Sequence, residues 1–169
     1  VQIQTAIVDA NSTYTNVSLR LFHPVKELFW IIQKTTNITP ASSNNGNHFT
    51  VYSDPSNNKE MFSTSRLVLN GKQRYGARNA NFFRSVQPLK THSYIPDKYI
   101  YNYSFSLHPE KYQPSGSCNF GVINTAELEL NFNSSTSAFY DSERTITIYA
   151  TGYNIFKVQS GIGGVQFAR

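Results

Sequence analysis

Cysteine is nearly missing from this chain: its 169 residues include one, Cys118. No internal disulfide can form, so packing alone must hold the fold, and a reducing compartment is the easier setting for it. Charge is scarce as well. Asp, Glu, Lys and Arg make up 15% of the residues, and the net charge of +5 is scattered rather than gathered into a Lys/Arg block. Such a balance lets a protein sit near polyanions but lacks the clustered basic face of a nucleic-acid reader. No specific nucleic acid is expected as a partner. Long apolar runs are absent too. The longest, "LFWII" at 28–32, falls short of the roughly 20 residues a membrane helix needs, so no membrane insertion is expected. The opening "VQIQTAIVDA" has no basic start and no Met, and reads as a processed chain or a piece of a longer one. No internal repeat has solenoid or propeller spacing.

Aromatics are plentiful at 14%, and they fall on strand-like patterns. β-branched and aromatic side chains suit a pleated, half-buried surface, and period-two alternation dominates the chain. In 99–107, Tyr99, Tyr101, Tyr103, Phe105 and Leu107 share one face, while Asn102, Ser104 and Ser106 share the other. In 126–132, Ala126, Leu128, Leu130 and Phe132 alternate with Glu127, Glu129 and Asn131. Val1, Ile3 and Ile7 repeat the pattern, as do Val17, Leu19 and Leu21, and later Ile146, Ile148 and Ala150. Strands of this kind bury one face and offer the other to solvent or a partner.

Other segments read differently. "VKELFWIIQ" at 25–33 predicts a central strand covered on both faces, with Trp30 in the core. Residues 34–60 form a Gly/Pro/Asn/Ser-rich excursion with at most a short hairpin. "MFSTSRLVLNG" is a strand entering an Asn-Gly turn. Residues 75–97 are long, and "ARNANFF" predicts one or two helical turns that Pro88 ends. "YNIFKV" at 153–158 adds a last strand. About eight short strands, two long insertions and almost no helix predict an all-β fold. The expected form is an eight-stranded antiparallel jelly-roll sandwich with long loop insertions.

Chemistry-bearing residues gather in one place. The loop after the aromatic strand carries His108, Glu110, Ser115, Ser117 and Cys118, so a nucleophile, a base and a carboxylate lie close in sequence. A catalytic cysteine needs a stabilised thiolate, and Ser117 in "PSGSCNF" lacks the G-x-S-x-G elbow. Pro109, Pro114 and Gly116 instead read as the corner of a scaffold, with Cys118 a small hydrophobe. His23, His48, His92 and His108 have no ligand spacing, so neither a metal nor another cofactor is expected. Glu127 and Glu129 read as a solvated or interfacial face before a glycosidase pair. "SGIGG" at 160–164 lacks the Lys-Ser/Thr of a phosphate loop and reads as a tight backbone path. Five sequons, at Asn11, Asn16, Asn37, Asn102 and Asn133, are what a chain this rich in Asn, Ser and Thr produces by chance.

Four segments, taken together, carry a resemblance. They are "FHPVKELFWIIQ" (22–33), "LNGKQRYGARNANFFRSVQPLKTH" (69–92), "IPDKYIYNYSFSLHPEKYQPSGSCNF" (95–120) and "YATGYNIFKVQSGIGGVQF" (149–167). In this order the chain resembles the major capsid proteins of nucleocytoplasmic large DNA viruses. The resemblance implies a double jelly-roll subunit of which residues 1–169 are the second, C-terminal jelly roll, with the first outside this chain. It also implies a structural role rather than an enzymatic one. Homotrimers would form pseudo-hexagonal capsomers in an icosahedral shell, assembled in the host cytoplasm. Neighbouring capsomers, minor capsid proteins and the first jelly roll would be the partners. The opening "VQIQTAIVDANSTYT" does not visibly match, and "SGIGGVQF" is a variant of the family's Gly-rich ending.

Within 72–97, Arg74, Arg78, Phe82, Phe83 and Arg84 mix cations and aromatics as interfaces do, and they are the expected subunit contact. Residues 34–60 are expected to be freer. The rival reading is a carbohydrate-binding, lectin-like jelly roll with Tyr52, Tyr75 and Tyr94 as a sugar platform. An enzyme ranks last.

Overall fold

The computed structural model describes residues 1–39, 48–53, 60–132 and 140–166. Its strands are β1 (Gln2–Val8), β2 (Tyr14–Ser18), β3 (Pro24–Lys34), β4 (Thr64–Leu69), β5 (Lys72–Gln73) and β6 (Arg78–Asn79). They continue as β7 (Tyr101–Ser104), β8 (Cys118–Asn119), β9 (Ala126–Asn131), β10 (Arg144–Gly152), β11 (Phe156–Gln159) and β12 (Ile162–Val165). Eight of them make two four-stranded paths, β1-β10-β3-β7 and β2-β9-β4-β5, and every pairing is antiparallel. Apart from the β4–β5 hairpin, successive strands of the eight cross between the sheets, which is the double Greek key of a jelly roll. The other four are extras: β6 pairs β4, β8 pairs β3, and β11–β12 form a ribbon of their own.

The core lies between the sheets and is built by the expected alternation. Leu28, Trp30 and Ile32 of β3 and Ile146, Ile148 and Ala150 of β10 face Leu128 and Leu130 of β9 and Leu67 of β4. Aromatic rings complete it. Trp30 lies 6.0 Å from Tyr101, 5.2 Å from Phe83 and 6.5 Å from Phe62 between ring centroids. β3 is covered on both faces as predicted. Its outer face holds Glu27, which pairs with His92 at 3.0 Å, and Phe29, against which the His92 ring packs edge-on.

Three readings are corrected. Val1, Ile3 and Ile7 do not join the core: β1 turns Gln2, Gln4, Ala6 and Val8 inward and leaves those three exposed. The glutamines take inward places because their amides replace a ladder. Gln2 donates to the Phe22 carbonyl and accepts from the Phe22 N–H, and Gln4 does the same with the Ser18 carbonyl and the Arg20 N–H. Pro88 does not end the helical segment either. A π-turn over Phe82–Val86 runs straight into helix α2 (Gln87–Thr91), with the Gln87 N–H reaching the Phe82 carbonyl; helix α1 (Thr35–Ile38) was not expected. Proline inside a helix clashes with a preceding carbonyl and lacks a donor. Here it sits in the first turn of α2, where its missing N–H costs least. The aromatic strand is also shorter than the alternation implied: Leu107 lies beyond β7 and is 72% exposed.

Turns behave as their residues require. Asn70-Gly71 and Ser160-Gly161 both take positive φ at each position, closing the β4–β5 and β11–β12 hairpins. "SGIGG" is thus a hairpin turn and the start of β12.

Two outcomes follow. Phe83→Ala should lower unfolding free energy by about 3–5 kcal/mol, read from urea denaturation, because Phe83 is fully buried against Trp30, Phe62 and Tyr75. The second concerns alkali. Burial raises the Tyr101 and Tyr75 hydroxyls above the ordinary tyrosine value, and the Glu60 carboxylate raises Tyr101 further. The folded state keeps both protonated where the unfolded chain ionises them. Their contribution is therefore whole below about pH 10 and is lost as pH rises towards the raised values. The urea midpoint should fall above about pH 10, and less steeply in Tyr101→Phe. An equal slope in both proteins would contradict this.

Candidate assembly surface

The 72–97 segment is laid over the edge of the sandwich by a few anchors, and these sort the five expected contact residues. Phe83 is an anchor. Its ring is inside the chain, so it offers nothing to a partner, and the interface role expected of it is corrected to a core role. Arg84 is partly committed: its Nε donates to Glu60 Oε1 at 2.6 Å, and its guanidinium lies 4.7 Å from the centre of the Tyr99 ring. The Tyr101 hydroxyl donates to the other Glu60 oxygen at 2.9 Å and accepts from the Met61 N–H. Glu60 therefore ties the segment to β7. Arg74, Arg78 and Phe82 lie nearer the outside. Burial raises the Tyr103 hydroxyl and the Arg74 charge lowers it against that, and Arg78 lies 5.6 Å from the centre of the half-buried Phe82 ring. Among the described residues, neither Arg74 nor Arg78 enters an ion pair.

The loop from 106 to 118 uses its reactive residues as struts. The Ser115 hydroxyl meets the Ser106 hydroxyl at 2.6 Å and accepts from the His108 N–H at 2.8 Å. Glu110 accepts from the Ser93 N–H and hydroxyl, and those bonds hold its carboxyl below the usual range. Lys26 reaches across to the Pro109 carbonyl at 2.7 Å. At Gly116, φ is +134° and a Cβ would stand 2.8 Å from the Phe105 carbonyl oxygen, so only glycine fits this corner. Cys118 pairs with Val25 in the β3–β8 ladder, and burial raises its thiol, which favours the unreactive protonated form.

Other expected sites disperse. Glu129 is buried rather than solvated, because Arg66 pairs with it at 2.5 Å from the neighbouring strand. Asn102 is 1% exposed, so its sequon is closed to modification in the folded chain. Asn11 and Asn16 are exposed and Asn37 is half-buried; Asn133 lies outside the described residues. Tyr75 turns inward, its ring centroid 4.7 Å from that of Tyr103, while Tyr94 is 74% exposed and Tyr52 half-buried. Among the described residues, no three His, Cys, Asp or Glu side chains group as metal ligands, and no helix is long and apolar enough to cross a membrane.

Sequence reasoning missed the Glu27–His92 pair and Arg144. Arg144 is fully buried, donates to the Asp9 and Ser12 carbonyls, and lies 4.2 Å from the Phe132 ring centre. Glu27 inside an apolar run was a signal that something polar must cover the outer face of β3. Arg144 gave no local signal for its burial, since the carbonyls it bonds are more than 130 residues away.

Comparison with known proteins places this architecture. The family model described as large eukaryotic DNA virus major capsid protein matches residues 1–164. The major capsid protein of Phaeocystis pouchetii virus is 39% identical over 104 residues, 62% of this chain and 20% of that protein. That of Paramecium bursaria Chlorella virus 1 is 30% identical over 187 residues, covering 90% of this chain and 43% of that protein. The chain thus spans less than half the length of these relatives. Among solved structures, the PBCV-1 virus capsid aligns with a TM-score of 0.73 and 24% identity over 99% of this chain and 50% of that one. The Faustovirus major capsid protein aligns at 0.68 and 18% identity over 88% of this chain and 32% of that one. These two show the fold alone, and the sequence match shows the family: this chain belongs to the major capsid proteins of large eukaryotic DNA viruses.

Proposed function

We propose that this chain is the second of two successive jelly rolls in a major capsid subunit. The subunit trimerises into pseudo-hexagonal capsomers that tile an icosahedral shell, assembled in the host cytoplasm. The observation that carries the reading is the jelly-roll strand order running through a chain whose residues 1–164 match the capsid family. Such a protein works by shape complementarity over repeated interfaces and needs no reactive centre. The inward Tyr75 removes one of the three rings of the lectin-like reading. Neighbouring capsomers, minor capsid proteins and the first jelly roll are its partners. Particle imaging tests the proposal: density for this fold at symmetric shell positions supports it, and a soluble glycan-binding monomer would sink it.

Arg74, Arg78 and Phe82 of the 72–97 segment, with the outer side of Arg84, face a neighbouring subunit or the first jelly roll. Arg78→Glu with Phe82→Ala should weaken trimers in native mass spectrometry by at least about tenfold, with the far-ultraviolet spectrum retained. Unchanged trimers would remove this segment from the interface. The expectation that 34–60 is freer falls in part, at 40–47 and 54–59, on residues outside the described set.

No chemistry is assigned to Cys118. Cys118→Ser should alter unfolding free energy by less than about 1 kcal/mol and leave assembly intact. Loss of function in a folded, assembling variant would contradict that.

A further inference from the structure

Helix α2 and the stretch that follows it cover the outer face of β3 and β7 without filling it. Between them is a hollow of about 190 Å³. Phe29 and Asn102, opposite each other in the β3–β7 ladder, form its floor. Pro88 of α2, with Pro96 and Ile100 beyond it, supplies apolar walls, and the exposed Tyr94 and Glu110 stand at the mouth. Hydrogen bonds fasten these walls. His92, also in the wall, has both ring nitrogens engaged, Nε2 with Glu27 at 3.0 Å and Nδ1 with the Thr91 hydroxyl at 2.9 Å. Glu110 accepts from the Ser93 N–H and hydroxyl, which ties the loop at 106–118 to the wall between His92 and Tyr94. The hollow is therefore formed before anything enters it, and binding need not order its walls.

One buried polar atom is left over. Asn102 is 1% exposed. Its Nδ2 lies 3.4 Å from the Leu28 carbonyl, while its Oδ1 is buried with no hydrogen-bond partner among the described residues. Exchanging the two ends of the amide would set the oxygen against that carbonyl, so the unmet group is an acceptor. A buried acceptor without a donor costs free energy that a ligand can recover. Water serves poorly here, because an ordered water wants two to four polar partners and the walls are mostly carbon. A sugar serves poorly too, since burying several hydroxyls against one unmet acceptor leaves most of them unpaired. Size narrows the choice further. Sites for drug-sized molecules run to about 300–1,000 Å³, whereas an apolar cavity of about 150 Å³ takes benzene. One aromatic ring suits this hollow. The Phe29 and His92 rings, edge to face with centroids 5.7 Å apart, offer it aromatic contact.

We propose that this hollow is a binding site for a single aromatic ring bearing one O–H or N–H donor, the ring against Phe29 and Ile100 and the donor on Asn102 Oδ1. That chemistry comes on a free small phenol or as a tyrosine side chain of another protein. Occupancy adds contacts that join α2 and residues 92–100 to β3 and β7. The site stands apart from the capsid reading and does not need it.

Amide NMR of the isotope-labelled protein tests it, with phenol as the probe. Phenol should shift the amides of Phe29, 88–102 and Glu110 saturably, with a dissociation constant near or below about 1 mM. Shifts that do not saturate, or that map elsewhere, would overturn the site. Anisole keeps the ring but has its donor methylated away, and should bind at least about tenfold more weakly. Anisole binding as tightly as phenol would overturn the role given to Asn102. Asn102→Leu keeps the shape and removes the acceptor, so the preference for phenol over anisole should fall at least about tenfold. An unchanged preference in that variant would place the donor elsewhere and count against the assignment. Ile100→Trp fills the hollow and should abolish saturable binding. The amide spectrum of each variant checks its fold, and if neither folds the phenol and anisole titrations of the wild type still decide. Glucose shifting the same amides at lower concentration than phenol would replace the ring-and-donor chemistry with the lectin-like one. N-acetyltyrosinamide separates the two sources: binding as tight as phenol supports a tyrosine side chain, and weaker binding supports a free molecule. None of these results bears on shell assembly, so the site and the capsid reading fail separately.

Discussion

Everything in this structure leans on the rings stacked around Trp30. A sandwich with one cysteine has no covalent tie between its sheets, so the space between them must be filled and the filling must be specific. Trp30 from β3, Tyr101 from β7, Phe62 from the approach to β4 and Phe83 from the π-turn meet within about one ring's width of each other. Each pair of this kind adds roughly 0.5–1.5 kcal/mol beyond the area it buries. More to the point, the four rings come from four separate stretches of chain. The same contacts that stabilise the core fix the path of the 72–97 segment and thereby decide which of its side chains remain outside.

The polar contacts then finish what the rings begin. Glu60 accepts from both Arg84 and Tyr101, so the segment is held at its outer edge as well as at its root. The outer face of β3 is closed by Glu27 with His92, and one end of the sandwich by Arg144 gripping two loop carbonyls. At the β1 side, the amides of Gln2 and Gln4 bond the backbone at 18–22 and draw the two sheets together. Buried polar groups are costly unless paired, and Arg144, Gln2 and Gln4 give partners to backbone groups that an apolar side chain would have left unmet.

What the sequence disclosed, and what it hid, follow from the range of the interactions involved. The alternations in β9 and β10 and the Asn-Gly turn are local, and they are readable from the residues themselves. Trp30 is readable because a short unbroken apolar run in a strand-rich chain calls for burial on both faces. Phe82 and Phe83 are not separable by pattern, since neighbouring residues in a helical turn point in different directions and only the fold decides which one is inside. The pattern of β1 misleads because glutamine counts as polar in any alternation, yet here two glutamines find complete partners across the sandwich. Of the residues expected to meet a partner, composition picks out a segment, while the division between anchor and outer surface needs the three-dimensional packing. The loop at 106–118 has the residue types of a catalytic site, but its Ser106 and Ser115 hydroxyls bond each other, and Ser115 also accepts from the His108 N–H.

The division between spent and unspent groups is itself informative about function. An enzyme concentrates its unmet chemistry in a cleft, where a perturbed acid or base waits for substrate. Here the shifted groups are locked into structure: Tyr101 on Glu60, Glu110 on Ser93, Cys118 in a ladder. On the outside lie, among other groups, the apolar outward side of β1, the exposed β11–β12 ribbon, and Arg78 beside Phe82. Surfaces of that kind gain nothing from a small molecule, which would cover too little of them. On the capsid reading proposed above, it is another folded surface that covers them.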